Sequence, residues 1–149
     1  MIEQRQLVGA WQLESWSIGY DGRDDISSPF GEEPLGLLVY SEDGWMSASI
    51  SRRDRARLPQ DASPRKVPDG VRAASYDSYF HYAGRYRVMQ GGVVHYVTQS
   101  LNPNFPGTEQ LRYAELDGET LVLTGKDEAG SVVRYHTLVW HRAPVTQPA

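Results

Sequence analysis

From Gly9 onward, apolar and polar side chains mostly alternate one for one, the period that sends successive side chains to opposite faces of a β-strand. Residues 10–20 set Trp11, Leu13, Ser15 and Ser17 on one face and Gln12, Glu14, Trp16 and Ile18 on the other. The run Asp21-Gly22-Arg23-Asp24-Asp25 interrupts the pattern, and a loop with Pro29, Gly31 and Pro34 follows. Residues 36–40 and 45–51 read as the second and third strands. They are joined by Ser41-Glu42-Asp43-Gly44, a turn whose glycine can take a positive φ. Residues 52–69 carry three prolines and many charges and read as a long surface loop. Pro68-Asp69 then starts a helix predicted over 71–82, although Ala74, Tyr79, Tyr82 and Ala83 make no clean apolar stripe along it. Beyond Gly84 the pattern is strand after strand, at 85–90, 93–101, 108–116, 120–125 and 131–142. Gln90-Gly91-Gly92 and Asp117-Gly118 signal tight hairpins, and residues 102–107 form an irregular crossover. Residues 2–8 have room for one helical turn, and the tail 144–149 is expected to be disordered.

Eight strands joined by short turns make sequential neighbours antiparallel. Eight is also the number that closes into a barrel wide enough for one small ligand, and closure removes the exposed edges of an open sheet. The predicted fold is therefore all-β: one domain over residues 1–149 with its core at about 7–142. It is an eight-stranded antiparallel up-and-down barrel with one short helix between the third and fourth strands. A chain of 149 residues buries about two thirds of its unfolded surface, enough for one core without covalent staples.

Composition narrows the functional classes. There are no cysteines, so disulfides and thiolate metal sites are out. The opening residues have neither the basic cluster nor the apolar run of a secretion signal, and no stretch approaches the roughly 20 apolar residues of a membrane span. A cytoplasmic location is the expectation. The net charge of −4 argues against a nucleic-acid partner, and the one basic cluster, Arg52–Arg57, is broken by Asp54 and reads as a solvated segment. Nine Tyr, four Trp and three Phe suit a pocket both apolar and selective, and equally suit any β-rich core.

Gly9-x-Trp11 in the first strand, with Trp140-x-Arg142 in the last, resembles the lipocalin arrangement. Further segments resemble the bacterial and fungal lipocalin-like domain proteins: residues 7–13, Gly36-Leu37-Leu38-Val39-Tyr40, Gly44-Trp45-Met46-Ser47-Ala48, Tyr82-Ala83-Gly84-Arg85-Tyr86, Val94-His95, residues 102–108 and Gln110-x-Arg112. The likeness runs from about Leu7 to Arg142. It implies an eight-stranded barrel in which Trp11 plugs the closed end and Arg142 packs across it, with Gly9, Trp11 and Arg142 structural. An arginine on an indole face is worth about 0.5–2 kcal/mol. The likeness does not settle an activity.

For chemistry, Arg112 stands first. Its strand puts Gln110, Arg112, Ala114 and Leu116 on one face, so if Leu116 points inward Arg112 does too. A guanidinium inside a barrel keeps its charge and needs a carboxylate, carbonyls, water or an anionic ligand group. Pairing with Glu14 or Glu109, or an outward strand face, are the alternatives. His95 titrates near neutrality and is a candidate acid or base, but both faces of its strand are apolar, so its direction is open. His81, His136 and His141 show no metal-ligand spacing, and neither a metal nor any other cofactor is expected. No serine has a nucleophile motif around it. Tyr40, Met46, Tyr79, Tyr82, Tyr86 and Trp140 are candidate pocket walls, with plain core packing as the alternative for each.

Three functions compete. The first is a binding barrel, monomeric or homodimeric, for a small, mostly apolar molecule with an anionic or carbonyl group on Arg112, with Tyr40, Met46, Tyr79, Tyr86, His95 and Trp140 around it. The second is a cofactor-free cyclase or isomerase of natural-product metabolism in the same cavity, with Arg112 steadying negative charge and His95 moving a proton. The third is an interaction protein whose barrel is packed solid.

Overall fold

The first strand meets the last, and that junction turns a meander into a closed surface. The structure, a computed structural model, describes residues 1–61 and 63–146. Its elements are α1 (Gln4–Leu7), β1 (Gly9–Tyr20), β2 (Ile26–Ser27), β3 (Leu35–Tyr40) and β4 (Trp45–Ser51). A 3-10 turn at Pro64–Lys66 and α2 (Asp69–Asp77) follow, then β5 (Tyr79–Met89), β6 (Gly92–Ser100), β7 (Glu109–Asp117), β8 (Thr120–Ala129) and β9 (Val132–Arg142). The sheet runs β2-β1-β3-β4-β5-β6-β7-β8-β9, every pair antiparallel, with an additional β1–β9 pairing. Eight strands thus form an up-and-down barrel with a short helix between β4 and β5. β2, which the sequence pattern did not suggest, adds a two-residue flap on Ile18 and Gly19 of β1. Residues 143–146 form no regular element, and residues 147–149 of the expected disordered tail lie outside the described residues.

Two predicted boundaries are corrected. The helix expected over 71–82 ends at Asp77, and Tyr79 to Tyr82 belong to β5, where Tyr79 pairs with Ser51 and Tyr82 with Ala48. Aromatic side chains such as Tyr79, Phe80 and Tyr82 gain more from pairing on a pleated, half-buried surface than from a solvent-facing helix, and α2 indeed buries none of its residues. β8 also runs past Gly125 to Ala129, and its two-residue turn to β9 places Asp127 opposite Arg134.

The strand faces sort into an interior and an exterior. β1 holds the one surprise: its register to β9 shifts between Leu13 and Ser15, so Glu14 is the extra residue of a β-bulge. The expected strict alternation put Trp11 and Trp16 on opposite faces. The bulge resets the parity, and Trp11 and Trp16 both reach the interior.

One end of the barrel is sealed. Trp11 is fully buried and donates its Nε1–H to the carbonyl of Leu7 at 2.9 Å. Arg142 lies over the indole with its guanidinium carbon 4.1 Å from the ring centroid, while Nη1 donates to the Val8 carbonyl at 3.0 Å and Nη2 to the Gln6 carbonyl at 2.6 Å. This pins α1 across the sealed end. Position 9 has to be glycine here: its φ is 122°, and a Cβ would sit 3.0 Å from Arg142 Nη1. Tyr40, Met46 and Tyr86 fill the space next to this plug. The two tyrosine rings meet edge-on at 4.7 Å, and Tyr86 donates to the Ser41 carbonyl.

Arg142→Leu keeps bulk but removes the cation and both carbonyl contacts. It is expected to lower unfolding stability by about 2 kcal/mol. In urea the midpoint falls with little change of slope, and Arg142→Lys restores less than half, because an ammonium cannot stack and fork at once.

Candidate functional site

Above the sealed end, the interior side chains shrink or draw apart and leave a cavity of about 530 Å³. Leu38, Ala48, Ile50, Leu123 and Leu138 supply apolar wall, and Trp16, Phe80 and Phe105 form an aromatic collar toward the opening. The collar is built from edge-on contacts: Trp16 to Phe30 at 5.1 Å and to Phe80 at 6.2 Å, then Phe80 to Phe105 at 6.1 Å. A volume of this size suits a drug-sized guest. A second hollow of about 330 Å³, lined by Met1, Ile2, Gln6, Gly91, Ala114 and Leu116, offers no charged side chain.

Strict alternation along β7 carries Gln110, Arg112, Ala114 and Leu116 inward, and Arg112 lines the cavity. Room for it comes from Gly125 on β8, where a Cβ would sit 2.6 Å from Nη1. The guanidinium donates to the carbonyl of Leu111 at 3.0 Å, and among the described residues no carboxylate forms an ion pair with it. Glu14, offered above as a partner, pairs instead with His141. Glu109, the other, is exposed and lies on the opposite face of β7.

His95 is 2 % exposed and points inward from β6 with Val93 and Val97. Its Nε2 is 2.7 Å from the Tyr40 hydroxyl and its Nδ1 is 2.7 Å from the Tyr82 hydroxyl. Burial, helped by the Arg112 charge, holds its pKa down to about 3, so the ring is neutral at physiological pH. Burial raises the Tyr82 hydroxyl above its ordinary value, and Arg112 pulls it partly back. Tyr40 is pushed higher still, by burial first and then by Tyr82.

At the opening stands a second polar group. Arg134 forks onto Asp127 with both contacts at 2.8 Å, and His136 reaches the same carboxylate at 2.9 Å. Trp16 donates its Nε1–H to His136 Nδ1 at 3.1 Å, which leaves the His136 proton on Nε2, facing Asp127. The Arg134 contact is the main reason the Asp127 carboxyl lies below the usual range, and burial is the main reason His136 does too.

Of the residues singled out in the sequence, Tyr82, His95, Arg112 and Trp140 come together at this cavity. Tyr40 lies one hydrogen bond behind its wall, and Met46 and Tyr86 lie in the packed sealed half. Tyr79 is a correction: it falls on the outward face of β5, where the Arg55 guanidinium lies 5.1 Å from its ring centroid. Sequence reasoning missed Trp16 as a wall, hidden by the bulge, and Phe80, assigned to a helix. It also missed Phe105, in the crossover, Asp127, just past a strand drawn too short, and Arg134, its partner on the last strand. Among the described residues no cluster of three or more His, Cys, Asp or Glu stands ready for a metal ion, and no helix is long and apolar enough to cross a membrane.

A family model described as a lipocalin-like domain matches residues 8–143. Among solved structures, fluorescent protein UnaG in its wild-type form is 14% identical, with 95% of this chain and 100% of that chain covered at a TM-score of 0.40. A mutant of UnaG gives 14% identity, 95% and 99% coverage and a TM-score of 0.40. Among curated proteins there is no match.

The depressed His95 fixes a sign for pH. An unfolded histidine takes a proton near pH 6.5, the folded one only near 3, so the stability tied to its neutral form is whole above about 6.5 and drains away as pH falls toward 3. Across that window His95 contributes a slope of up to about 1.4 kcal/mol per pH unit. Unfolding of the wild type and of His95→Gln, followed in urea from pH 7.5 to 4, is expected to show the flatter dependence in the variant. His136 titrates in both proteins and cancels in the difference.

Proposed function

Because the chain belongs to the lipocalin-like domain family, whose barrel here encloses a cavity fit for a small molecule, we propose that it binds a small, mostly apolar ligand bearing an anionic or carbonyl group. The observation that carries this reading is Arg112: a cation facing a largely apolar cavity, with no ion-pair partner among the described residues. A charge in that setting is costly until something answers it, and an oxyanion or a polarised carbonyl on the guest does so. The aliphatic and aromatic wall holds the rest of the molecule.

Proton-transfer chemistry, as a cofactor-free cyclase or isomerase would need, finds a poor base here. A catalytic base works best with a pKa near the working pH. His95 lies near 3 with both ring nitrogens engaged, and His136 has its two nitrogens occupied by Trp16 and Asp127. Binding is therefore the reading favoured over turnover.

Two fluorescent probes of similar size test it: anionic anilinonaphthalene sulfonate and neutral N-phenyl-1-naphthylamine. Both are expected to bind the wild type. Arg112→Gln is expected to weaken the anionic probe by about tenfold or more while changing the neutral one by no more than about twofold. No binding of either probe, or equal losses for both, would refute the assignment.

A further inference from the structure

The Tyr40–His95–Tyr82 chain holds a proton count with a directional consequence. Three neutral groups bring three exchangeable protons, and the two hydrogen bonds between them use two. One O–H is left over, at one end or the other. If Tyr82 donates to Nδ1, then Nε2–H donates to Tyr40, and the spare proton sits on the Tyr40 hydroxyl. That hydroxyl is buried, and among the described residues its only hydrogen-bond partner is His95. If Tyr40 donates to Nε2, then Nδ1–H donates to Tyr82, and the spare proton sits on the Tyr82 hydroxyl. Tyr82 is part of the cavity wall, as is Arg112, so in this second arrangement the spare proton lies on a residue that borders the cavity. Burying an unanswered O–H is the costlier choice.

We propose that Tyr82 meets the ligand as a hydrogen-bond donor, held in that role by Tyr40 and His95 as positioning residues. The cavity therefore takes a carboxylate or similar acceptor-only oxyanion in preference to an alcohol of the same skeleton. The proposal rests on the ligand-binding reading above and specifies its head group. Three further features of the cavity agree with it. Arg112 can only donate. The indole Nε1 of Trp140, another wall residue, is a buried donor without a partner among the described residues. Of the two carboxylates in the lining, Asp127 already has both oxygens taken by Arg134 and His136, and Glu128 is exposed at the rim. An alcohol brings a donor of its own into a place already supplied with donors; a carboxylate brings acceptors alone.

The relay is read directly from the histidine tautomer. Long-range proton–nitrogen NMR of wild-type protein labelled at histidine, with His95 assigned through His95→Gln, is expected to show the proton on Nδ1 and a bare Nε2. A proton on Nε2, or on both nitrogens, overturns the relay. The selectivity is read with dodecanoate and 1-dodecanol, titrated by calorimetry. The wild type is expected to prefer dodecanoate. Tyr82→Phe lowers the carboxylate-to-alcohol affinity ratio by about tenfold, and Tyr40→Phe, although it does not line the cavity, by about threefold or more, because His95 is then free to take either tautomer. A ratio unchanged in both variants overturns the donor role. Failure of both lipids to bind would overturn the ligand reading and the selectivity with it, while the tautomer measurement would still decide the relay.

Discussion

Everything in this molecule depends on β1 reaching β9. That pairing runs from Trp11 opposite Arg142 to Tyr20 opposite Arg134, and it leaves the barrel with no long open edge. The bulge at Glu14 makes the contact productive at both ends. Below it, Trp11 fits under Arg142 and seals the base; above it, Trp16 turns inward and joins the collar at the opening. A strand with unbroken alternation would have served one end only. The same covalent segment thus sets the depth of the closed floor and the width of the entrance.

Closure also creates an electrostatic problem that the chain answers in two different ways. At the opening, Arg134 is matched by Asp127 and Asp127 by His136, so the charges there are balanced within the protein. Deeper in, Arg112 has no such match among the described residues; burial first and then its field keep His95 unprotonated, and it draws the Tyr82 hydroxyl back toward its ordinary acidity. Gly125 is the matching concession on the neighbouring strand, giving up a side chain so that the guanidinium can lie flat against the wall. The proposed role of Arg112 as the anchor for a guest rests on this arrangement.

Much of the fold was legible in the sequence because two signals are local. Period-two alternation marks strands, and glycine turns such as Gln90-Gly91-Gly92 and Asp117-Gly118 mark hairpins whose short length forces antiparallel order. Arg112 was legible for the same reason: β7 alternates without a bulge, so one apolar anchor, Leu116, orients the whole strand. The rest of the site failed to show where the deciding interaction is long-range. Tyr79 to Tyr82 follow a helix start and become strand only because β4 is there to pair with them. Trp16 moves inward only because β9 shifts register by one residue. His95 sits among valines on both faces, and its direction is set by tyrosines from β3 and β5 that no sequence window contains.

The polar chain through Tyr40, His95 and Tyr82 crosses the boundary between the packed half of the barrel and the hollow half, and that position explains its composition. On the packed side every polar atom needs a partner, because no water can reach it. On the hollow side, one left unanswered is a recognition group. A neutral histidine suits such a boundary, since it offers one donor and one acceptor and so passes direction from one side to the other. A lysine or carboxylate there would bring a charge into apolar surroundings, and a simple amide would leave one of its several hydrogen-bonding atoms without a partner. The core of the sealed half therefore bears on what the open half can hold: the hydrogen-bond direction chosen around Tyr40 decides what Tyr82 presents to a guest.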